Sequence, residues 1–168
     1  MELTSVSVFA SGKLDHSIDV DVLEEYSCFE TNLRPRLATI RFGNGTVRVT
    51  SSGSISAVSQ GQEGNAFTLM DMTADVLSSI FGPTRVESAG ITNISAKTAL
   101  GRNVDLDRLL LTLPVGTADY DPEYHPSLVA RHEGLTISVF SNGSVSATGA
   151  RTVSDLMNGL RSFASLIV

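Results

Sequence analysis

The chain has 168 residues, 42% hydrophobic and 18% charged, with a formal net charge of −6; that length holds one good core or two small fused ones. The acidity argues against a protein that holds nucleic acid mainly through a large basic field. No apolar run approaches the roughly 20 residues of a membrane helix, the start Met1-Glu2-Leu3-Thr4 has neither region of an export signal, and a cytoplasmic protein is expected.

In chain order, the pattern predicts a strand at 4–11 and then a short helix at 19–26, opened by acidic residues that suit the positive end of a helix dipole. Three or four antiparallel strands follow over 27–59. A longer helix is predicted at 65–81, with Phe67, Met70, Ala74, Leu77 and Phe81 as its core stripe. Cys28, the lone cysteine, excludes an internal disulfide and is expected to be a small core residue. Gly82-Pro83-Thr84 ends that helix and is too short for a flexible linker.

The order then repeats: a strand at 87–97, a helix at 105–113, strands over 116–150, and a helix at 152–166. Pro122 and Pro126 break the chain at a bent corner. Leu135, Ile137 and Val139 alternate with Thr136, Ser138 and Phe140, the period of a half-buried strand. Ser141-Asn142-Gly143 supplies a tight turn. Thr152-Val153-Ser154-Asp155 reads as a helix start ahead of Leu156, Leu160, Phe163 and Ile167.

The two rounds share residues as well as order. Residues 12–21 align with 98–107, Pro35-Arg36-Leu37 with Pro126-Ser127-Leu128, residues 51–57 with 141–147, and Leu69-Met70 with Leu156-Met157. An ordered set of four matches at a nearly constant offset indicates a tandem duplication, with repeats at 1–84 and 85–168. The first repeat carries 5 basic and 10 acidic side chains (−5), and the second 7 and 8 (−1). An antiparallel sheet with helices on one face leaves its other face to solvent or a ligand.

The second repeat carries a specific pattern. It has an acidic corner, Asp121-Pro122-Glu123, then Pro126-Ser127-Leu128-Val129-Ala130-Arg131. A strand ending Phe140-Ser141-Asn142-Gly143 follows, and then Thr148-Gly149-Ala150-Arg151. Upstream stand Ile91-Thr92-Asn93-Ile94-Ser95-Ala96 and Leu100-Gly101-Arg102-Asn103-Val104-Asp105-Leu106. This pattern resembles the second half of TATA-box-binding proteins of archaeal type, over 86–168, and the first half more loosely.

The resemblance implies an α+β fold. In it, a tandem duplication builds a curved antiparallel sheet saddle with helices on the convex face and an open concave underside. It implies a non-enzymatic transcription initiation factor, without cofactor or metal, that recognises AT-rich promoter DNA in the minor groove. The A·T minor groove lacks the guanine amino group, so an apolar, donor-sparse face suits it. Paired phenylalanines wedge base steps apart, a mode for which this family is the reference case. Central asparagines reach acceptors on the groove floor, and flanking basic residues hold phosphates.

Carried onto this chain, the asparagine positions are Asn93 and, in the first repeat, Ser7. The four wedge positions hold Phe140, His125, Arg34 and Thr50, so one phenylalanine remains of four. Other face positions hold Ser95, Ser138, Ser146 and Thr148, with Phe9, Arg48 and Val58 in the first repeat. Arg131 and Arg151 keep basic positions. The corner Asp121, Glu123 and Tyr124 corresponds to where the family receives a transcription factor B-like protein. The departures at Arg34, Thr50 and His125 set out a second expectation, of a saddle that has lost wedge-driven bending and serves as a protein-interaction or regulatory module. The histidines His16, His125 and His132 show no metal-ligand spacing. No nucleophile elbow or phosphate loop is present.

Overall fold

The computed structural model describes residues 2–167. Its elements are β1 (Leu3–Leu14), a 3-10 turn (Val22–Glu25), β2 (Phe29–Leu33), β3 (Arg36–Phe42), β4 (Gly45–Thr50), β5 (Ser54–Gln60), α1 (Asn65–Phe81), β6 (Val86–Ala99), α2 (Leu106–Thr112), β7 (Ala118–Asp119), β8 (Ser127–His132), β9 (Leu135–Phe140), β10 (Ser144–Ala150) and α3 (Val153–Ser165). Among the described residues, no helix is long and apolar enough to cross a membrane.

Two compact units form, and they do not divide where the sequence repeats do. One, called the first unit below, is Ser7–Thr92; the second joins the residues through Val6 to those from Asn93 onward. β1 and β6 are long strands, and each contributes residues to both units.

The first unit orders its strands β2-β3-β4-β5-β1 and the second β6-β10-β9-β8-β7. The registers given for them are antiparallel. Side chains alternate between the faces of a strand, and that alternation builds each core. In the first unit Val8, Ala10, Val47, Val49, Ile55 and Ala57 are buried, and α1 packs on β4 and β5. Burial on α1 runs through Ala66, Leu69, Met70, Thr73, Ala74 and Leu77. Phe67 and Phe81 lie half-buried at the margins of that stripe. In the second unit Ile94, Ala96, Leu128, Ala130, Ile137, Val139, Val145 and Ala147 are buried with Leu156, Leu160 and Phe163 of α3.

Capping separates the paired short helices. Asp105 accepts from Arg108 N at 3.0 Å and opens α2, satisfying one orphan donor of the first turn. Asp21, before the 3-10 turn, makes no such side-chain bond, and the helix expected over 19–26 shrinks to four residues. Thr152 caps α3 from both sides: its Oγ1 accepts from Asp155 N at 3.0 Å and donates to Asp155 Oδ2 at 2.7 Å. Cys28 is exposed, against expectation. It lies in the turn before β2, and Phe29, the first residue of that strand, turns inward instead.

Candidate nucleic-acid interface

In each unit the sheet face opposite the helix is polar. On the second unit it runs through Asn93, Ser95 and Lys97 on β6, and Ser146 and Thr148 on β10. It continues through Thr136, Ser138 and Phe140 on β9, and Val129 and Arg131 on β8. Cross-strand pairing fixes these rows: Thr148 faces Ser95 and Thr136, Ser146 faces Lys97 and Ser138, Val129 faces Ser138, and Arg131 faces Thr136.

Asn93 is the most constrained side chain on that face. β10 carries a bulge between Thr148 and Ala150. Gly149 within it has φ +115, and a Cβ there would sit 2.8 Å from the Gly134 carbonyl oxygen, so only glycine fits. The bulge aims Gly149 N at Asn93 Oδ1, 2.9 Å away. A backbone N–H only donates, which settles the orientation of the carboxamide. Asn93 Nδ2 then donates to Thr148 Oγ1 at 2.9 Å and, weakly, to Ser95 Oγ at 3.4 Å. Thr148 and Ser95 hydroxyls meet at 3.2 Å. The result is a fixed donor group on the first strand, β6, of the second unit's open face.

Phe140 ends β9, half-buried, with Ser127 as its cross-strand neighbour. The turn beyond it is closed by Asn142, whose Oδ1 accepts from Ser144 N at 2.9 Å, so the Phe140 ring has no turn-closing role. His125 lies in the corner before β8, exposed, its N–H donating to Asp121 O at 2.8 Å. Asp121 Oδ1 also accepts from Glu123 N at 3.0 Å. That local turn lifts Glu123 and Tyr124 into solvent, Tyr124 being 76% exposed. Arg151 follows β10 and is exposed.

The first unit's open face is built differently. Phe9 pairs with Val58 and Ser7 with Gln60 across β1 and β5. Arg48 pairs with Ser56 and with Thr39, and Thr50 with Leu37. The wedge positions are not wedges. Thr50 Oγ1 accepts from Ser54 N at 3.2 Å and meets Ser52 Oγ at 2.9 Å, closing the β4–β5 turn. Arg34 sits exposed in the β2–β3 turn, where its N–H donates to Asn32 Oδ1 at 3.0 Å.

Charge is partitioned between surfaces. The open strand positions of the first unit hold Lys13, Arg41 and Arg48 against Glu30 and Glu87, and those of the second hold Lys97 and Arg131 against Asp119. The remaining acids thus lie largely off these rows. Arg41 is engaged: its Nε and Nη2 each donate to a Glu30 carboxylate oxygen at 2.9 Å. That fork holds the Glu30 carboxyl below the usual carboxylate range.

Sequence reasoning placed Ser7, Phe9, Arg48, Thr50, Val58, Asn93, Ser95, Arg131, Ser138, Phe140, Ser146 and Thr148 on open strand faces, where the structure has them. Arg34, His125 and Arg151 lie in the connections beside those strands. It passed over Lys97, Thr136, Lys13 and Gln60. Counting by two from Asn93, Phe9 and Ser138 would have found the first three. His132 points the other way, its ring centroid 5.7 Å from that of Phe163 and its Nε2 2.9 Å from Ser162 Oγ.

The model of the family described as Transcription factor TFIID (or TATA-binding protein, TBP) matches residues 88–168. TATA-box-binding protein 3 of Methanosarcina mazei is 30% identical over 132 residues, covering 76% of this chain and 66% of the relative. The chain belongs to the TATA-box-binding protein family. TATA-box-binding protein 2 of the same organism is 28% identical over 92% of this chain and 88% of its own length. The Haloarcula marismortui TATA-box-binding protein is 36% identical, but the match spans only 40% of that relative and 45% of this chain. The solved structure of Methanococcus jannaschii TBP aligns at TM-score 0.76, covering 99% of this chain and 98% of its own, at 21% identity. The fold is therefore the α+β fold of this family across both repeats.

Proposed function

We propose that the chain is a promoter-recognition factor that binds AT-rich duplex DNA through the minor groove. Asn93 supplies donors to the groove floor, Phe140 wedges a base step, and Lys97, Arg131 and Arg151 hold phosphates. The observation that carries this reading is the bulge-fixed carboxamide of Asn93. A donor held in one orientation suits adenine N3 and thymine O2, which are acceptors only, and meets repulsion from the guanine amino group. Its 3.4 Å contact to Ser95 is the weak one and the one a base acceptor would replace. Thr148 and Ser95 hydroxyls reorient at little cost.

Family membership supports the reading, as do cationic open strands on a chain whose net charge is −6. The corner Asp121, Glu123 and Tyr124 is proposed to receive a transcription factor B-like protein, its exposed ring and carboxylates offering an apolar anchor with an acidic rim. A cytoplasmic, nucleoid-associated location follows from the same proposal.

The test is binding to three duplexes of one sequence frame. Replacing A·T pairs by inosine·cytosine changes the major groove but adds no minor-groove amino group. Full binding to A·T and inosine·cytosine duplexes, and loss on G·C, is expected. Equal binding to all three would leave only phosphate attraction and would favour the protein-interaction role.

A further inference from the structure

Gln60 occupies a place that the duplication does not anticipate. Aligned by repeats, Val58-Ser59-Gln60 corresponds to Thr148-Gly149-Ala150. In the second unit the bulge at Gly149 inserts one extra residue, so the next side chain, Ala150, turns inward and is buried. In the first unit β5 runs to Gln60 in unbroken register with β1. Strict alternation therefore drives Ser59 inward, where it is fully buried and its Oγ has no hydrogen-bond partner among the described residues. The same alternation turns Gln60 out onto the open face, beside Ser7.

Ser7 stands at the position where the second unit has Asn93. Its hydroxyl is too short to reach as far as a carboxamide, and no bulge glycine is there to orient one. Gln60 fills the gap from the neighbouring strand: its Nε2 donates to Ser7 Oγ at 2.9 Å. Its backbone is fixed as well, Gln60 N donating to Asn44 O at 2.8 Å and Gln60 O accepting from Asn65 Nδ2 at 2.8 Å. Donation to Ser7 uses one amide hydrogen. It leaves the second, and the Ser7 hydroxyl hydrogen, for another acceptor.

We propose that Gln60 is the base-edge reading residue of the first unit. The Gln60–Ser7 pair presents to minor-groove acceptors the carboxamide that Asn93 presents in the second unit, delivered from β5 instead of β1. The proposal rests on the reading of the open faces as minor-groove surfaces. Loss of the bulge and gain of the glutamine are then one change, because only an unbulged strand puts residue 60 on that face.

The experiment uses the full chain and a panel of AT-rich duplexes. In each, one adenine is replaced by 2,6-diaminopurine, which adds a minor-groove amino group and keeps pairing with thymine. Affinity is read by fluorescence anisotropy at fixed salt for the wild type, Gln60→Met, Gln60→Ala and Asn93→Ala. Gln60→Met keeps the length and stem of an exposed side chain, so folding is not at risk; circular dichroism checks it. The expected result is a wild type weakened by diaminopurine at two separate groups of positions. Both Gln60 variants bind the unmodified duplex about 2- to 10-fold more weakly, the worth of one net hydrogen bond, and lose sensitivity at one group. Asn93→Ala loses it at the other. Gln60 variants with unchanged affinity and both groups of sensitive positions would overturn the assignment while leaving the groove reading intact. A wild type indifferent to diaminopurine everywhere would overturn the groove reading and the role of Gln60 with it.

Discussion

The two units use one strand plan and arm it differently. In the second, a glycine bulge in β10 fixes Asn93, and an asparagine closes the β9–β10 turn so that Phe140 is free of that task. In the first, the matching strand is regular and the turn is closed by the wedge-position residue itself, Thr50. On the proposed reading, a single residue's change of register moves a function: the carboxamide that β6 carries at Asn93 is carried in the first unit at Gln60 on β5, the neighbour of the matching strand β1. Duplicated folds diverge here through backbone register as much as through side-chain replacement.

The largest expected effect comes from removing the bulge's requirement. Gly149→Ala places a Cβ 2.8 Å from a carbonyl oxygen at φ +115 and should cost about 2 kcal/mol or more of stability. Thermal unfolding measures it, and AT-selective binding should fall with it as Asn93 loses its anchor. The corresponding Ser59→Ala in the first unit should cost much less, since it deletes only a buried hydroxyl with no partner among the described residues; equal costs would break the comparison. Next is Thr50→Phe, which restores a wedge at the expense of the turn. Stability should fall by about 1 kcal/mol from the lost hydrogen bond to Ser54 N, while the energy-transfer signature of duplex bending rises. Tyr124→Ala with Glu123→Gln should leave DNA affinity within about 0.5 kcal/mol, as surface changes usually do, and weaken capture of a transcription factor B-like protein in a pull-down on AT-rich DNA.

The smallest effect concerns Arg41. Glu30→Gln should release its guanidinium to a phosphate and steepen the salt dependence of binding by roughly 0.9 in log–log slope. Acidification should act in the same direction. The folded-state pKa of Glu30 is depressed, so its ion pair is fully present above the ordinary carboxylate range and is lost as pH falls through the lowered value. Binding at neutral pH should therefore not report it, and only titration well below the ordinary value should.

Much of this was legible in the residues. Matched Ser-x-Gly-Ser turns and helix starts revealed the duplication. The family resemblance, carried over residue by residue, put twelve of the candidate positions on open strand faces, and the period-two alternation of the strands agrees with that placement, because burying one face pins the register. What escaped was what depends on register and capping together. Val58-Ser59-Gln60 and Thr148-Gly149-Ala150 align by residue but not by face, since a bulge depends on pairing with the neighbouring strand. Thr50 reads as a lost wedge, and only the turn geometry shows its task. The helix over 19–26 failed for want of the cap that Asp105 provides and Asp21 does not. Cys28 was misplaced because cysteine as a residue type favours burial, whereas here it falls in the turn ahead of β2 and the strand's first residue, Phe29, takes the core.

The most direct test of the central claim is bending of a doubly end-labelled AT-rich duplex, followed by energy transfer across a salt series for the wild type and Phe140→Ala. The expected result is a rise in transfer on wild-type binding and a clear reduction with Phe140→Ala at saturating protein. No change in transfer at any salt, with the wild type folded by circular dichroism, would contradict it.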